Sequence, residues 1–410
     1  MKILNFGSCN IDYVYSIDHI VKAGETETTF DMQIFPGGKG LNQSIAAAGA
    51  GACVYHAGCI GYGGDILQEI LSNSNVDISY LKKIEEKSGH AIIQVSADGE
   101  NSIFLFPGSN KMVTKEYIDL VLENFDGEDL VLLQNEISNV DYIVEKAFEK
   151  GMCIIFNPSP LNEKLAAIDF AKLSYIILNE IEIMGISGCD TPREGLAYVK
   201  RKYPHLKVVL TLGSKGCIYQ DILNELYQPA YKAETVDTTA AGDTFTGYFV
   251  AELSLGNGCG DSLKIASAAA AVAVSRKGAA PSIPKRKEVL EVLPKMTENR
   301  QGGKQEQIKT IIDEYIDNNL KSANIDELAK KIGYSNVYTA SIVKRIKGKS
   351  FSKEIQARRC AAAADMLLHT DLSIAEIINR VGYENESFFR MVFKEKYGNT
   401  PLEFRKKEGR

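Results

Sequence analysis

The chain has 410 residues, 45% of them hydrophobic, with 47 Lys+Arg against 53 Asp+Glu and a formal net charge of −6. That length suits two or three domains with real cores, and no apolar run approaches the roughly 20 residues of a membrane span. Eight cysteines are scattered without a Cys-x-x-Cys pair or a His at metal-ligand spacing, so neither a zinc site nor a disulfide framework is expected and the thiols are read as reduced packing residues.

In chain order, Met1 to Ser8 is too short in apolar residues for a signal peptide and predicts a first strand entering a loop, which makes a cytoplasmic protein the expectation. Asn10 and Asp12 follow just past it, where a carboxylate can accept hydrogen bonds from two sugar hydroxyls. Pro36-Gly37-Gly38-Lys39-Gly40-Leu41-Asn42 precedes an Ala-rich helix. Its glycines let backbone approach a ligand, and Asn42 in the first turn can bridge adjacent hydroxyls. Residues 28–35 and 90–106, the latter with an Asp98-Gly99 turn, alternate apolar and polar and predict an antiparallel flap over one side of the site.

Next come four apolar runs ending in polar residues, at 131–134, 153–157, 175–179 and 208–212, with helical stretches between them. They predict a parallel sheet covered on both faces. Ligands of such sheets bind at the carboxyl ends of strands, which makes Glu136, Asn157, Asn179 and Gly213 candidates by position. Asn179-Glu180-Ile181-Glu182 puts an amide and a carboxylate at a spacing suited to phosphate-bound Mg²⁺ through water. Thr211-Leu212-Gly213-Ser214-Lys215-Gly216 is a strand-end turn suited to a nucleotide.

Asp237-Thr238-Thr239-Ala240-Ala241-Gly242-Asp243 stands just before apolar residues at 245, 248, 249 and 253, the spacing of one buried helix face. Ala240 to Asp243 are expected to form that helix's first turn, where unpaired N–H groups and the helix dipole make a site for phosphate oxygens. Asp243 would accept a proton from an attacking hydroxyl while the Ala241 and Gly242 N–H groups stabilise the transferring group. Each cluster alone is as readily a turn or a helix cap; their joint occurrence points to phosphoryl transfer. There is no G-x-x-x-x-G-K-[ST], so the P-loop solution is excluded.

Residues 295–307 are polar, contain Gly302-Gly303 and lack periodicity, so a linker is placed at 298–307 between domains at 1–297 and 308–410. Residues 304–410 carry 20 Lys+Arg against 15 Asp+Glu, leaving 27 against 38 for residues 1–303. An acidic body with a basic tail suggests that the tail meets a polyanion. Within the tail, the stretches from Ile325 and from Ile374 align at an offset of 49, each a short helix, a Gly turn and a second helix. The second helices carry Lys344, Arg345 and Lys347, and Asn385, Arg390 and Lys394, as candidates for double-stranded DNA.

The motifs at 7–12, 37–42, 157–160, 179–182, 211–216, 237–243 and 276–279 occur in the order and approximate spacing of the PfkB (ribokinase-family) carbohydrate kinases. The resemblance covers about residues 1–295. It implies a ribokinase-like α/β fold, with a mostly parallel central sheet between helices and a small β lid from 13–35 and 90–106 that often serves as a dimer interface. It also implies ATP-dependent phosphorylation of a sugar, ribose first, with deoxyribose, fructose or a nucleoside behind it. Asp243 is then the base and Ala241-Gly242 the anion hole. Asn10, Asp12, Gly38, Lys39, Asn42 and Glu136 surround the sugar, and Asn179, the 211–216 turn and Ser267 lie near ATP. Asp237 and Thr239 with Ala273, Arg276, Gly278 and Ser282 match the family's monovalent-cation (K⁺) site. The pattern from 304 to 410, including Ser387-Phe388-Phe389-Arg390 and Gly398-x-Thr400-Pro401, resembles the AraC/XylS-type DNA-binding domain, an all-α unit with two helix-turn-helix motifs. Thr339 and Val343 in the first motif depart from it. The alternative is a transcription regulator whose kinase fold senses sugar without turnover.

Overall fold

A computed structural model describes residues 1–98, 100–298, 304–370, 372–383 and 385–408. The chain divides into two compact units, Met1–Arg300 and Gln301–Arg410. The Gly of the expected Asp98-Gly99 turn and residues 299–303 of the expected linker lie outside the described residues.

Among the described residues the first unit has thirteen strands: β1 (Ile3–Phe6), β2 (Asn10–Ile17), β3 (Asp31–Gly37), β4 (Val54–Tyr62), β5 (Leu81–Lys87), β6 (Gly89–Ser96), β7 (Asn101–Phe106), β8 (Leu130–Gln134), β9 (Cys153–Asn157), β10 (Tyr175–Asn179), β11 (Lys207–Thr211), β12 (Cys217–Gln220) and β13 (Glu225–Gln228). Nine form one sheet in the order β13-β12-β11-β10-β9-β8-β1-β4-β5. It is parallel from β5 to β11, and β12 and β13 extend it antiparallel. The central strands β1 and β8 are buried at every residue, as continuous apolar runs require when helices cover both faces.

Two apolar clusters lie on the two faces of this sheet. One joins Ile3, Leu132 and Ile155 to Leu41, Phe245, Tyr248 and Phe249; the other joins Leu4, Val131 and Leu133 to Ile118, Ile143 and Val199. The alternation of neighbouring residues between the clusters follows from the two-residue period of a strand. The helix Ala241–Ser254 is buried on all sides rather than on the single expected face, because helices Lys39–Gly49 and Cys259–Val274 both pack against it. At Gly247 the first of these comes so close that an added Cβ would stand 2.6 Å from the Gln43 carbonyl and 2.5 Å from the Ala46 Cβ.

The flap is a four-stranded sheet, β3-β2-β6-β7. Its two outer pairs are antiparallel, but β2 and β6 run parallel, which corrects the wholly antiparallel expectation. The two outer pairs are formed by strands adjacent in the chain, whereas the central pair joins strands that leave the core separately and in the same direction.

In the second unit the helix Lys304–Asn318 begins inside the stretch expected to be linker. It is followed by Ile325–Ile332, Asn336–Lys347, Phe351–His369, Ile374–Arg380, Glu386–Tyr397 and Pro401–Glu408. The first helix of each motif opens on a side-chain cap: Asn324 accepts from Glu327 N, and Ser373 forms a capping box with Glu376. Two small cores result. Phe351 and Ile355 contribute to one around Ile312 and Val343, while Cys360, Ala363 and Leu367 of the same helix contribute to the other around Phe389 and Phe393. All eight cysteines of the chain are free thiols, and no helix among the described residues is long and apolar enough to cross a membrane.

Candidate active site

A cleft of about 210 Å³ opens at the carboxyl ends of β9, β10 and β11. Lys39, Asn157, Ser159, Asn179, Glu182, Thr211, Thr239, Gly242, Asp243 and Thr246 line it. Lys39, expected at the sugar, thus shares one concavity with Glu182 and Thr239, expected at the metals, and with Gly242 and Asp243, expected at the transferred group, although they come from motifs spread over about 200 positions of the chain; Asn10, Asp12, Gly38, Asn42 and Glu136 do not line it.

Asp243 sits in the first turn of the helix Ala241–Ser254 and is 7% exposed. Both of its oxygens are engaged by amides of the helix Lys39–Gly49. Asn42 Nδ2 donates to Oδ2 at 3.1 Å and Gln43 Nε2 to Oδ1 at 2.9 Å. Asn42 Oδ1 is buried without a partner among the described residues, an acceptor left for a hydroxyl. The expected pair of anion-stabilising amides needs one correction. The Ala241 N–H donates to Thr238 O at 3.2 Å, closing the turn that leads into the helix. The Gly242 N–H makes no bond among the described residues, and the space where its Cβ would stand is open.

Among the residues expected at a sugar, Glu136 accepts from Ser8 Oγ and from the Lys39 N–H, the latter at 3.2 Å. Burial pushes the Glu136 carboxyl up, against the opposing pull of Lys39 and Ser8. Burial alone would lower Lys39, but Asp243, Glu136 and Glu182 together hold its ammonium above the ordinary value. Asp12 lies near the start of β2, and burial, followed by Glu136 and Asp243, pushes its carboxyl up to about 7. Asn10 is 3% exposed, and its Oδ1 is occupied by Asn110 Nδ2 at 2.7 Å. Gly38, with φ at 96°, caps the helix Lys39–Gly49 in a conformation that favours glycine. Gly40 is tighter still, since a Cβ there would stand 2.3 Å from Ser8 N.

Among the residues expected at a nucleotide and its metal, Asn179 and Glu182 close a capping box at the start of the helix Glu180–Ser187. Asn179 N donates to Glu182 Oε2 at 3.0 Å and Glu182 N to Asn179 Oδ1 at 2.9 Å. The oxygen donors at this edge suit a hard cation reached through water. No cluster of three or more His, Cys, Asp or Glu that could hold a metal directly occurs among the described residues. Gly213 and Ser214 form a tight turn after β11, closed by Gly216 with φ at 112°. Ser267, expected near ATP, is buried on the helix Cys259–Val274 with its Oγ 3.7 Å from Cys217 Sγ, and it does not line this cleft.

The loop before the helix Ala241–Ser254 is tied down by Asp237. Its Oδ1 accepts from Thr239 N at 2.9 Å and Oγ1 at 2.5 Å, and its Oδ2 accepts from Gly278 N at 3.0 Å. Against burial, these bonds hold the Asp237 carboxyl below the usual carboxylate range. Ala273 is buried at the end of its helix, Ser282 Oγ donates to Ala279 O at 2.7 Å, and Arg276 pairs with Glu288 at 3.1 Å. Residues 237–239 and 276–282 thus form adjoining loops.

In the tail, Lys344, Arg345 and Lys394 are exposed on the second helices of the two motifs. Lys347 is not: its side chain is 10% exposed and its Nζ bonds Asp313 at 2.5 Å. It belongs to an ion network with Arg358 and Asp317 inside the domain, which corrects its assignment to a DNA-facing set. Asn385 spends its side-chain oxygen capping Phe388 N at 2.9 Å, and Arg390 pairs with Glu386 one turn back.

Three site residues escaped the sequence reading: Gln43, Gln134 and Asn5, which meet behind Asp243. Gln43 adjoins the glycine motif, but nothing in its spacing announces a partner 200 residues away.

Comparison with known proteins agrees with this geometry. The profile of the pfkB family carbohydrate kinases matches residues 1–286, and that of a helix-turn-helix domain matches residues 328–407. The ribokinase of Bacillus subtilis (strain 168) is 37% identical over 299 residues, covering 71% of this chain and 99% of that protein. The structure of ribokinase from Cryptococcus neoformans var. grubii serotype A in complex with ADP is similar with a TM-score of 0.65 and 32% identity, covering 71% of this chain and 98% of that one. That of Arabidopsis thaliana ribokinase complexed with ribose and ATP gives 0.63 and 29%, with 71% and 98% covered.

Proposed function

The chain belongs to the pfkB family of carbohydrate kinases, carrying an AraC-type helix-turn-helix domain behind the kinase, and from that premise we propose that it transfers the γ-phosphoryl group of ATP to a hydroxyl of ribose. The observation that carries the reading is the Asp243 carboxylate, held at the mouth of a cleft beside an open Gly242 amide and the unpartnered Asn42 Oδ1. The ribokinase of Bacillus subtilis is a relative at 37% identity, and one neighbouring structure contains ribose with ATP.

In this reading Asp12, Asn42, Asn10 and Glu136 bind the sugar, with Lys39 balancing their charge and Gly38 letting the backbone approach. Asp243 takes the proton from the attacking hydroxyl, and the Gly242 N–H at the positive end of a helix stabilises the anionic oxygens. Asn179 and the 211–216 turn flank the nucleotide. Glu182 would hold Mg²⁺ through water, and that ion supplies charge neutralisation on the phosphates. Asp237, Thr239, Ala273, Arg276, Gly278 and Ser282 would hold K⁺ and brace the loop before Asp243.

The lid leaves Met32, Ile34, Ile92 and Phe104 exposed on one face, opposite to that of Asp12, which supports a homodimer through its outer surface. The tail binds double-stranded DNA through Lys344, Arg345, Asn385, Arg390 and Lys394, and occupancy of the kinase by sugar or nucleotide alters that binding. A coupled ADP-release assay over a sugar panel tests the enzymatic part: Asp243→Asn should cut kcat by about 10²–10⁴-fold, and equal turnover by the two proteins would defeat it. Gel-shift titration with and without ribose and ATP tests the coupling.

A further inference from the structure

We infer that Gln43 is a positioning residue for the phosphoryl-transfer step, the last link of a buried amide chain that fixes the orientation of the Asp243 carboxylate. The inference rests on the reading of Asp243 as the base and adds to it the means by which that base is aimed.

The chain of bonds is continuous and its polarity is determined. Gln43 Nε2 donates to Asp243 Oδ1 at 2.9 Å and to Asn157 Oδ1 at 3.2 Å, so both amide hydrogens of one nitrogen are committed. Its Oε1 accepts from Gln134 Nε2 at 2.7 Å, and that Gln134 nitrogen also donates to Asn5 Oδ1 at 3.0 Å. Asn5 Nδ2 in turn donates to Gly40 O and Ser44 Oγ, both at 2.8 Å, and Asn157 Nδ2 donates to Ile177 O at 2.8 Å.

An ionised carboxylate only accepts hydrogen bonds, so the nitrogen of Gln43, not its oxygen, must face Asp243. That orientation leaves Oε1 for Gln134, which offers a nitrogen. A flip of Gln43 would set oxygen against the carboxylate and against Asn157, and nitrogen against nitrogen at Gln134. Gln43, Gln134 and Asn5 are each 1% exposed or less, so water does not compete with the bonds among them and a broken link would leave buried polar atoms unpaired.

The scaffold explains why the chain is rigid. Asn5, Gln134 and Asn157 lie on the adjacent strands β1, β8 and β9, and Gln134 stands directly opposite Asn157 in the register. Gln43 is brought to them by the close helix crossing at Gly247, one turn beyond Asp243. Asn42 holds the other carboxylate oxygen from the same helix, but its free Oδ1 faces a ligand's demands. Gln43 has no such second duty, so it fixes the carboxylate plane whether or not sugar is bound.

The test is steady-state kinetics on the full chain with ribose and ATP, beside Asp243→Asn. Gln43→Met keeps the volume and removes all three side-chain bonds, to Asp243, Asn157 and Gln134. Its kcat should fall about 10–100-fold, the cost of misplacing a reacting group by a fraction of an ångström to one ångström, while the KM values for ribose and ATP stay within about threefold, since Gln43 touches neither ligand. A merely structural role would lower the melting temperature without moving kcat per folded molecule. Gln134→Met leaves Gln43 in place but frees its carbonyl; it should lower kcat in the same sense by a smaller factor, and it decides the matter should Gln43→Met fail to fold. Wild-type kcat in both folded variants, with Asp243→Asn inactive, overturns the inference and spares the kinase reading. Turnover that survives Asp243→Asn overturns both.

Discussion

Asn42 donates its Nδ2 to Asp243 Oδ2 at 3.1 Å while its own Oδ1, equally buried, has no partner among the described residues. One side chain thus restrains the proposed base and offers the incoming hydroxyl an acceptor. Asn42→Ala should raise the sugar KM about tenfold or more, the worth of a bond of roughly 1.5 kcal/mol, and lower kcat as well. Initial rates over a ribose titration check this; an unchanged KM would remove Asn42 from the sugar site.

Asp12 predicts a pH dependence. Its carboxyl is pushed up to about 7, first by burial and then by Glu136 and Asp243, and only the ionised form accepts from two hydroxyls. Ribose affinity measured by calorimetry should therefore strengthen as pH rises from about 6 to about 8, by up to about tenfold per unit on the acid side of that range. Asp12→Asn should bind weakly and with a flatter profile. The stability effect has the opposite sense: the folded protein holds a proton on Asp12 that the unfolded chain releases near 3.8. That stabilising contribution is complete below 3.8 and lost as pH rises through about 7, so ligand-free Asp12→Asn should gain melting temperature over wild type at about pH 8.

Two glycines of the site should respond in opposite ways to the same substitution. Gly40→Ala drives a Cβ to 2.3 Å from Ser8 N and 2.4 Å from Gly7 Cα. Backbone cannot yield as a side chain does, so the kinase unit should lose about 1–3 kcal/mol or more of stability. Gly242→Ala meets no atom within 4 Å and should fold normally, yet its methyl narrows the approach to the Gly242 amide. Melting curves set beside kcat/KM for ATP separate the two: the first variant fails in the melt, the second in catalysis.

The tail offers a third contrast. Lys344→Ala with Arg345→Ala removes exposed cations and should flatten the salt dependence of DNA affinity by about 0.9 in the log–log slope for each phosphate left without a cation, with melting unchanged. Lys347→Ala instead strips a nearly buried partner from Asp313, and should cost ~1.5–3 kcal/mol of tail stability. If Lys347→Ala melts like wild type, the ion network does not hold the domain together.

How much of this was legible in the sequence depended on the range of the interaction. The central strands declared themselves because a strand buried on both faces must be apolar throughout, and the tail repeat because Gly and Tyr recur at one offset. Lys39, Asn179, Glu182, Thr211 and Asp243 could be singled out by their motifs and do share one cleft. The amide chain could not, since Asn5, Gln134 and Asn157 become neighbours only through the register of β1, β8 and β9. Lys347 was misassigned because a basic residue at a helix end reads the same whether it faces solvent or Asp313. The parallel pairing of β2 with β6 was hidden because their alternation of apolar and polar residues fits either direction.

Asn10 and Asp12 are not merely covered by the lid: they are the first and third residues of β2, which pairs with β6 along its whole length and with β3 from Asn10 to Ser16. On the reading of Asn10 and Asp12 as sugar ligands, the lever and the fingers are one piece of backbone. A hinge movement that swings this sheet must carry both side chains with it, so grip and closure share a single mechanical coordinate and neither can be tuned by mutation without detuning the other.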